Sequence, residues 1–137
     1  LFIVGADNHV KGVGNRLADF VIKHDICGVL IQSMYFVPGT PVYDTHKEHL
    51  LHKNWSKCVG HVVHYPENIS PYDLQKEIIH ASKKIYSVRR LLLATTTYRK
   101  VERALFIGEY IWQLDVRKSL RRELRFLRRQ SDPQCRD

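Results

Sequence analysis

At 137 residues and 44% hydrophobic content, the chain carries enough apolar material for one domain with a modest core, and disorder is not its default. No apolar run approaches the length of a membrane-crossing helix, and Cys27, Cys58 and Cys135 are too few and too scattered for a disulfide framework or a clustered zinc or iron–sulfur motif. The formal charge of +8 is gathered largely near the C-terminus and so describes one segment. Scattered thiols suit a reducing setting, and the expected location is cytoplasmic.

Residues 1–36 read as one βαβ unit. "LFIVG" is a short apolar run closed by a glycine, and Leu1 already lies inside it, where a natural start usually frays. The expectation is therefore that the chain continues something longer. After the turn-rich "ADNHVKGVGN", Val13, Leu17, Phe20 and Val21 recur at helical spacing, with Lys23 and His24 where cations suit a helix C-terminus. Gly28 opens a second strand, expected over residues 29–36. Its unbroken apolar character suits a parallel strand covered on both faces, and the crossover is expected to be right-handed.

Pro38-Gly39 stops that strand in a turn. Thr40 then serves as N-cap and Pro41 as first position of a short helix expected over residues 41–51. The following stretch reads as irregular, with an extended piece over residues 61–65. "SPYD" at 70–73 is the clearest start signal: Ser70 as cap, Pro71 at the first position, Asp73 able to reach back. Leu74, Ile78, Ala81, Ile85, Val88 and Leu92 predict one long amphipathic helix, which "ATTTY" weakens or ends. A final helix carries Ile107, Ile111, Leu114, Leu120, Leu124 and Leu127, and the tail after Ser131 is expected to fray.

Two strands are too few for so much apolar surface. Burying one large apolar side chain is worth about 1.5–3 kcal/mol, against a total domain stability of about 5–15 kcal/mol. A lone parallel pair also leaves two open edges. The strands are therefore expected to belong to a larger parallel sheet.

The ordered set "FIVGAD", "MYFVPGTPVYD", "LLHKNWSKCVGHVVHYPENISPYDLQKEI" and "ASKKIYSVRRLL" resembles the C-terminal part of radical S-adenosylmethionine enzymes, in the branch that often carries an N-terminal cobalamin-binding domain. The likeness covers roughly residues 1–93. It implies an α/β fold: the last βαβ unit of a partial (β/α)6 TIM-like barrel over residues 1–52, then a helical C-terminal extension with a basic last helix over 53–137. Such enzymes hold a 4Fe-4S cluster through C-x-x-x-C-x-x-C and cleave S-adenosylmethionine reductively to a radical that attacks substrate. That motif is absent here, so the chain alone is expected to be inert, with no catalytic or metal-ligating residue of its own. The family's fifth-strand motif G-x-I-x-G-x-x-E lies beside the adenine of S-adenosylmethionine. Ile3 and Gly5 match it, whereas Leu1 and Asn8 depart. The resemblance thus implies a partial cofactor site at Ile3 and Gly5, with the cluster and cobalamin confined to a longer parent. The implied partners are the missing N-terminal barrel region and a small-molecule substrate.

Other features have plainer readings. His46, His49 and His52, with His61 and His64, invite a metal, but i, i+3, i+6 spacing turns the first and third apart, and a surface role is expected. "GVG" at 12–14 is too short for a dinucleotide loop, and no acid–base pair or nucleophile elbow is present. "YSVRR" is expected to be a helix C-terminus with stabilising cations. The basic segment "RKSLRRELRFLRR" at 117–129 reads first as a solvated face. Nucleic acid is not expected, since the aromatic platform of single-strand binders is missing. The alternative function is a non-catalytic helical module whose basic helix binds an anionic partner, such as a membrane surface.

Overall fold

The computed structural model describes residues 1–51 and 61–130. The chain is α/β and mostly helical, and the order of elements is β1 (Phe2–Val4), α1 (Val13–Lys23), β2 (Ile31–Ser33), α2 (Pro41–His46), a 3-10 turn (Lys47–His49), α3 (Pro71–Ile85), α4 (Val88–Thr97) and α5 (Lys100–Gln130). Strands β1 and β2 pair in parallel, with Phe2 opposite Ile31 and Val4 opposite Ser33, so the βαβ expectation holds. Among the described residues the sheet stops at two strands, and they close no barrel. Trp55, His52, Cys58 and Cys135 lie outside the described residues.

The second strand is shorter than the apolar run that encodes it. Gly5 follows β1 at φ 96° and turns the chain away. Past Met34, whose N–H donates to Val4 O at 2.7 Å, β2 therefore has no neighbour to pair with. The predicted helix over 41–51 is also cut. Thr40 caps it by accepting from Tyr43 N–H at 3.3 Å, as expected. It ends early because Leu50 bridges His64 in antiparallel fashion, supported by Leu51 N–H to Val63 O at 2.9 Å and Tyr65 N–H to His49 O at 2.8 Å. The extended piece around 61–65 is thus real, and it takes its partner from the residues expected to be helical.

The single long helix predicted from Ser70 is two helices. Ser70 caps the first through Asp73 N–H at 3.0 Å, while the Asp73 carboxylate turns outward to Lys11 Nζ at 3.0 Å. Burial would raise the Asp73 carboxyl, but hydrogen bonds from Lys11 and Ser70 overcome it and hold it below the usual carboxylate range. The break falls at Tyr86 and Ser87, where Ser87 Oγ accepts from Arg90 N–H at 3.4 Å and starts α4. A hydroxyl cap followed by β-branched Val88 is a better start than an interior. "YSVRR" is therefore a helix start, although Arg90 Nη1 also donates to Ile85 O, at the end of α3, at 3.2 Å. The β-branched run does end α4, at Thr97.

One apolar cluster runs from Val4 through Val21, Leu74, Ile85 and Phe106 to Leu127. Helix α3 packs between α1 and α5 and supplies its centre. Two polar devices fix the βαβ unit against it. Tyr86 Oη accepts from Val29 N–H at 2.8 Å and donates to Val29 O at 3.1 Å, so a phenol satisfies the backbone at the head of β2 where a further strand would otherwise be needed. Burial pushes the Tyr86 hydroxyl up to about 12. The second device is Glu77 of α3, whose two carboxylate oxygens accept from Gly12 N–H at 2.8 Å and Gly14 N–H at 2.9 Å. They occupy the positive N-terminal end of α1, which lacks an acidic residue or side-chain cap of its own.

Candidate site at the carboxyl end of the parallel strands

Parallel strands deliver functional groups at their carboxyl ends, and here that end is dominated by histidine. Gly5 lies between two imidazoles. Its N–H donates to His9 Nδ1 at 2.9 Å, joined by Ala6 N–H at 3.3 Å, and its carbonyl accepts from His64 Nε2 at 2.9 Å. The partners fix the ring nitrogens' roles: His9 Nδ1 accepts, and His64 Nε2 carries the proton given to Gly5 O. His64 is 2% exposed, and burial lowers its pKa despite the opposing pull of Gly5 O. Its Nδ1 has no hydrogen-bond partner among the described residues. A buried imidazole that resists protonation therefore stands at the strand ends, beside the Gly5 and Met34 backbone.

Aromatic packing orients this group. The Phe36 ring meets His64 edge-on at 5.3 Å and stacks on His46 at 4.9 Å. His46 in turn hydrogen-bonds through Nδ1 to Val42 O at 3.0 Å. Asn68 donates to Asp7 O and ties the loop after β1 to the segment before α3. The expectation that these histidines sit at the surface fails for His64, which is drawn inward because the Gly5 carbonyl needs a donor in a buried place.

The two residues singled out from the sequence have different fates. Gly5 is buried and its backbone groups are engaged by the chain's own histidines. A Cβ there would lie 2.8 Å from Leu74 Cδ2 and 3.2 Å from His64 Cε1, so glycine permits close packing within the molecule. Ile3 points the other way and is 59% exposed. Since Phe2 N–H bonds Leu30 O at 2.8 Å and Val4 O accepts from Met34, alternation aims the N–H and C=O of Ile3 at the opposite edge of β1. Beside that edge runs a groove of about 340 Å³ lined by Phe2, Ile3, Val4, His9, Val13, Arg16, Leu17 and Phe20. No described strand covers this side.

Sequence reasoning missed His9, Glu77 and Tyr86, and it placed His64 at the surface. The His9 signal was local, a glycine at a strand end with a histidine four residues on. Glu77 and Tyr86 reach partners more than fifty residues away and carry no local signal. Among the described residues no three histidine, cysteine or acidic side chains converge as metal ligands. Cys27 is a free, half-buried thiol.

The fold defines a mostly helical α/β chain whose parallel sheet has two strands among the described residues. Comparison with protein-family models, with curated proteins and with solved structures returned no match.

Proposed function

We propose that this chain is the carboxyl-terminal part of a radical S-adenosylmethionine enzyme, supplying the fifth and sixth strands of a partial (β/α)6 barrel and a helical cap. The observation that carries the reading is the state of β1. Its outer edge presents the backbone of Ile3 and an apolar groove, whereas Val29, Ile31 and Ser33 of the β2 region are all under 9% exposed. A sheet closed on one side and open on the other fits the end of a barrel whose earlier strands add at β1. The parallel βαβ order and the ordered motifs support the same reading.

Within it, Ile3 offers an apolar surface for the adenine of S-adenosylmethionine. Gly5 holds the strand end in place through His9 and His64 and has no backbone group left for the ligand. The chain's three cysteines lack the cluster-binding pattern, so the 4Fe-4S cluster, and any cobalamin, belong to the rest of the enzyme. The cofactor supplies a carbon radical when bound and reduced. This chain's residues line part of the cavity and exclude water from it, and alone they have no electron source. His64, buried at the strand ends, is one of the imidazoles they place there, with His9 and His46.

The test is to read the coding sequence in frame ahead of the Leu1 codon. A C-x-x-x-C-x-x-C motif after a first strand, followed by further strand–helix units, is expected. An in-frame stop, or an unrelated sequence directly upstream, overturns the proposal.

A further inference from the structure

The geometry points to a second function that does not depend on the radical reading: the exposed face of α5 docks on an anionic lipid bilayer. Helix α5 packs on α3 and α4 and buries Phe106, Gln113, Arg117, Leu120 and Leu127. On its outer side Lys118, Arg121, Arg122, Arg125, Arg128 and Arg129 are all exposed. At 3.6 residues per turn these six project within an arc of about 120° and along about 17 Å of axis. Among the described residues none of them is paired with a carboxylate. Asp115 borders the arc and Glu123 lies on the half-buried flank, so the stripe itself is of one sign.

Followed toward the N-terminus, the same arc changes character. Ile111 is 62% exposed and Leu114 43%, and Trp112 on the adjoining flank is 42% exposed. One side of one helix thus carries an apolar end and a cationic end. A phosphodiester backbone would use only the second. A bilayer surface uses both, since apolar and indole side chains settle below the phosphates while guanidinium groups fork onto them. Five of the six cations are arginine, the side chain suited to such bidentate contacts. The buried leucines of α5 stay in the protein core, so the helix lies on the membrane and does not enter it. No helix among the described residues is long and apolar enough to cross one.

The test is co-sedimentation of the full chain with vesicles, comparing neutral phosphatidylcholine with a mixture containing about one-third phosphatidylglycerol. Binding to the anionic vesicles is expected to exceed that to neutral ones by about tenfold or more, and to fall steeply as salt rises. The triple variant Arg121→Glu, Arg122→Glu, Arg125→Glu is expected to abolish it, with helix content checked by circular dichroism. The separate pair Ile111→Ser, Leu114→Ser is expected to weaken it several-fold at low and high salt alike. Equal binding to both vesicle types, no binding, or indifference to either variant set overturns the proposal. So does a double-stranded DNA oligomer that binds more tightly than the vesicles and ignores the Ile111 and Leu114 changes.

Discussion

Two glycines show how far a missing side chain can mean different things. At Gly14 a Cβ would collide with the Glu77 carbonyl oxygen, which is backbone and cannot retreat. Gly14→Ala is expected to lower stability by about 1–3 kcal/mol and to loosen α1. At Gly108, in the exposed interior of α5, nothing lies within 4 Å, and Gly108→Ala is expected to raise stability by about 0.5–1 kcal/mol. Thermal unfolding of the two variants beside the parent checks both signs. The sequence showed Gly12 and Gly14 only as a motif too short for a nucleotide. Their reason lay at Glu77, sixty-three positions beyond Gly14, where no local pattern could reveal it.

His64 sets a pH dependence whose sign follows from burial. Its folded pKa lies below the ordinary 6.5, so as pH falls through 6.5 the unfolded chain takes up a proton that the folded one resists. Stability is full above that value and declines below it, until the folded state also protonates. Glu109 works in the opposite direction, because burial raises its carboxyl. The diagnostic quantity is therefore the difference between parent and His64→Gln. The variant is expected to show a flatter loss of melting temperature between neutral and mildly acid pH. Identical slopes would mean that the Gly5–His64 contact is not held as described.

At the scale of elements, caps and breaks were the legible part. Ser70-Pro71 and Thr40-Pro41 start helices where hydroxyl and ring geometry require it, and the periodic apolar run located α1. The break between α3 and α4 was hidden because the apolar period of three and four continues across it. Only the structure shows that Tyr86 must leave the helix to serve Val29. Tyr86→Phe removes one hydroxyl and strands a donor and an acceptor, at about 1–3 kcal/mol for each buried group left unsatisfied. A loss within that range in chemical unfolding, with faster amide exchange at Val29, is expected. An unchanged midpoint would show that water replaces the phenol.

Arg117 tests the same element from the other side. It is 8% exposed, its Nε donates to Gln113 O at 2.9 Å, Nη2 has no hydrogen-bond partner among the described residues, and burial lowers its pKa. A buried cation without an anion is costly, so Arg117→Met is expected to be neutral or stabilising. A marked loss of melting temperature would contradict this.

For the whole molecule, the sequence suggested a pair of apolar strands in need of neighbours, and the fold answers by halves. Helices α3 and α5 and the Tyr86 hydroxyl cover β2, which pattern reading had left open, because the apolar helices of the second half fold back over it. Among the described residues no strand pairs with the outer edge of β1, and Ile3 is exposed there. An exposed parallel edge is a template for another chain. The purified chain is expected to associate as concentration rises in sedimentation velocity, and Ile3→Lys to suppress this by placing a charge on the edge. A strictly monomeric chain at every concentration would mean that the edge is protected.

The most direct measurement concerns the polypeptide encoded by the open reading frame that contains Leu1. Purified anaerobically and reduced, it should convert S-adenosylmethionine to 5′-deoxyadenosine. Ile3→Asp should raise the KM for S-adenosylmethionine about tenfold, equivalent to about 1.4 kcal/mol, while leaving iron content unchanged. Absence of cleavage, or cleavage with the same KM in the Ile3→Asp variant, would contradict the account.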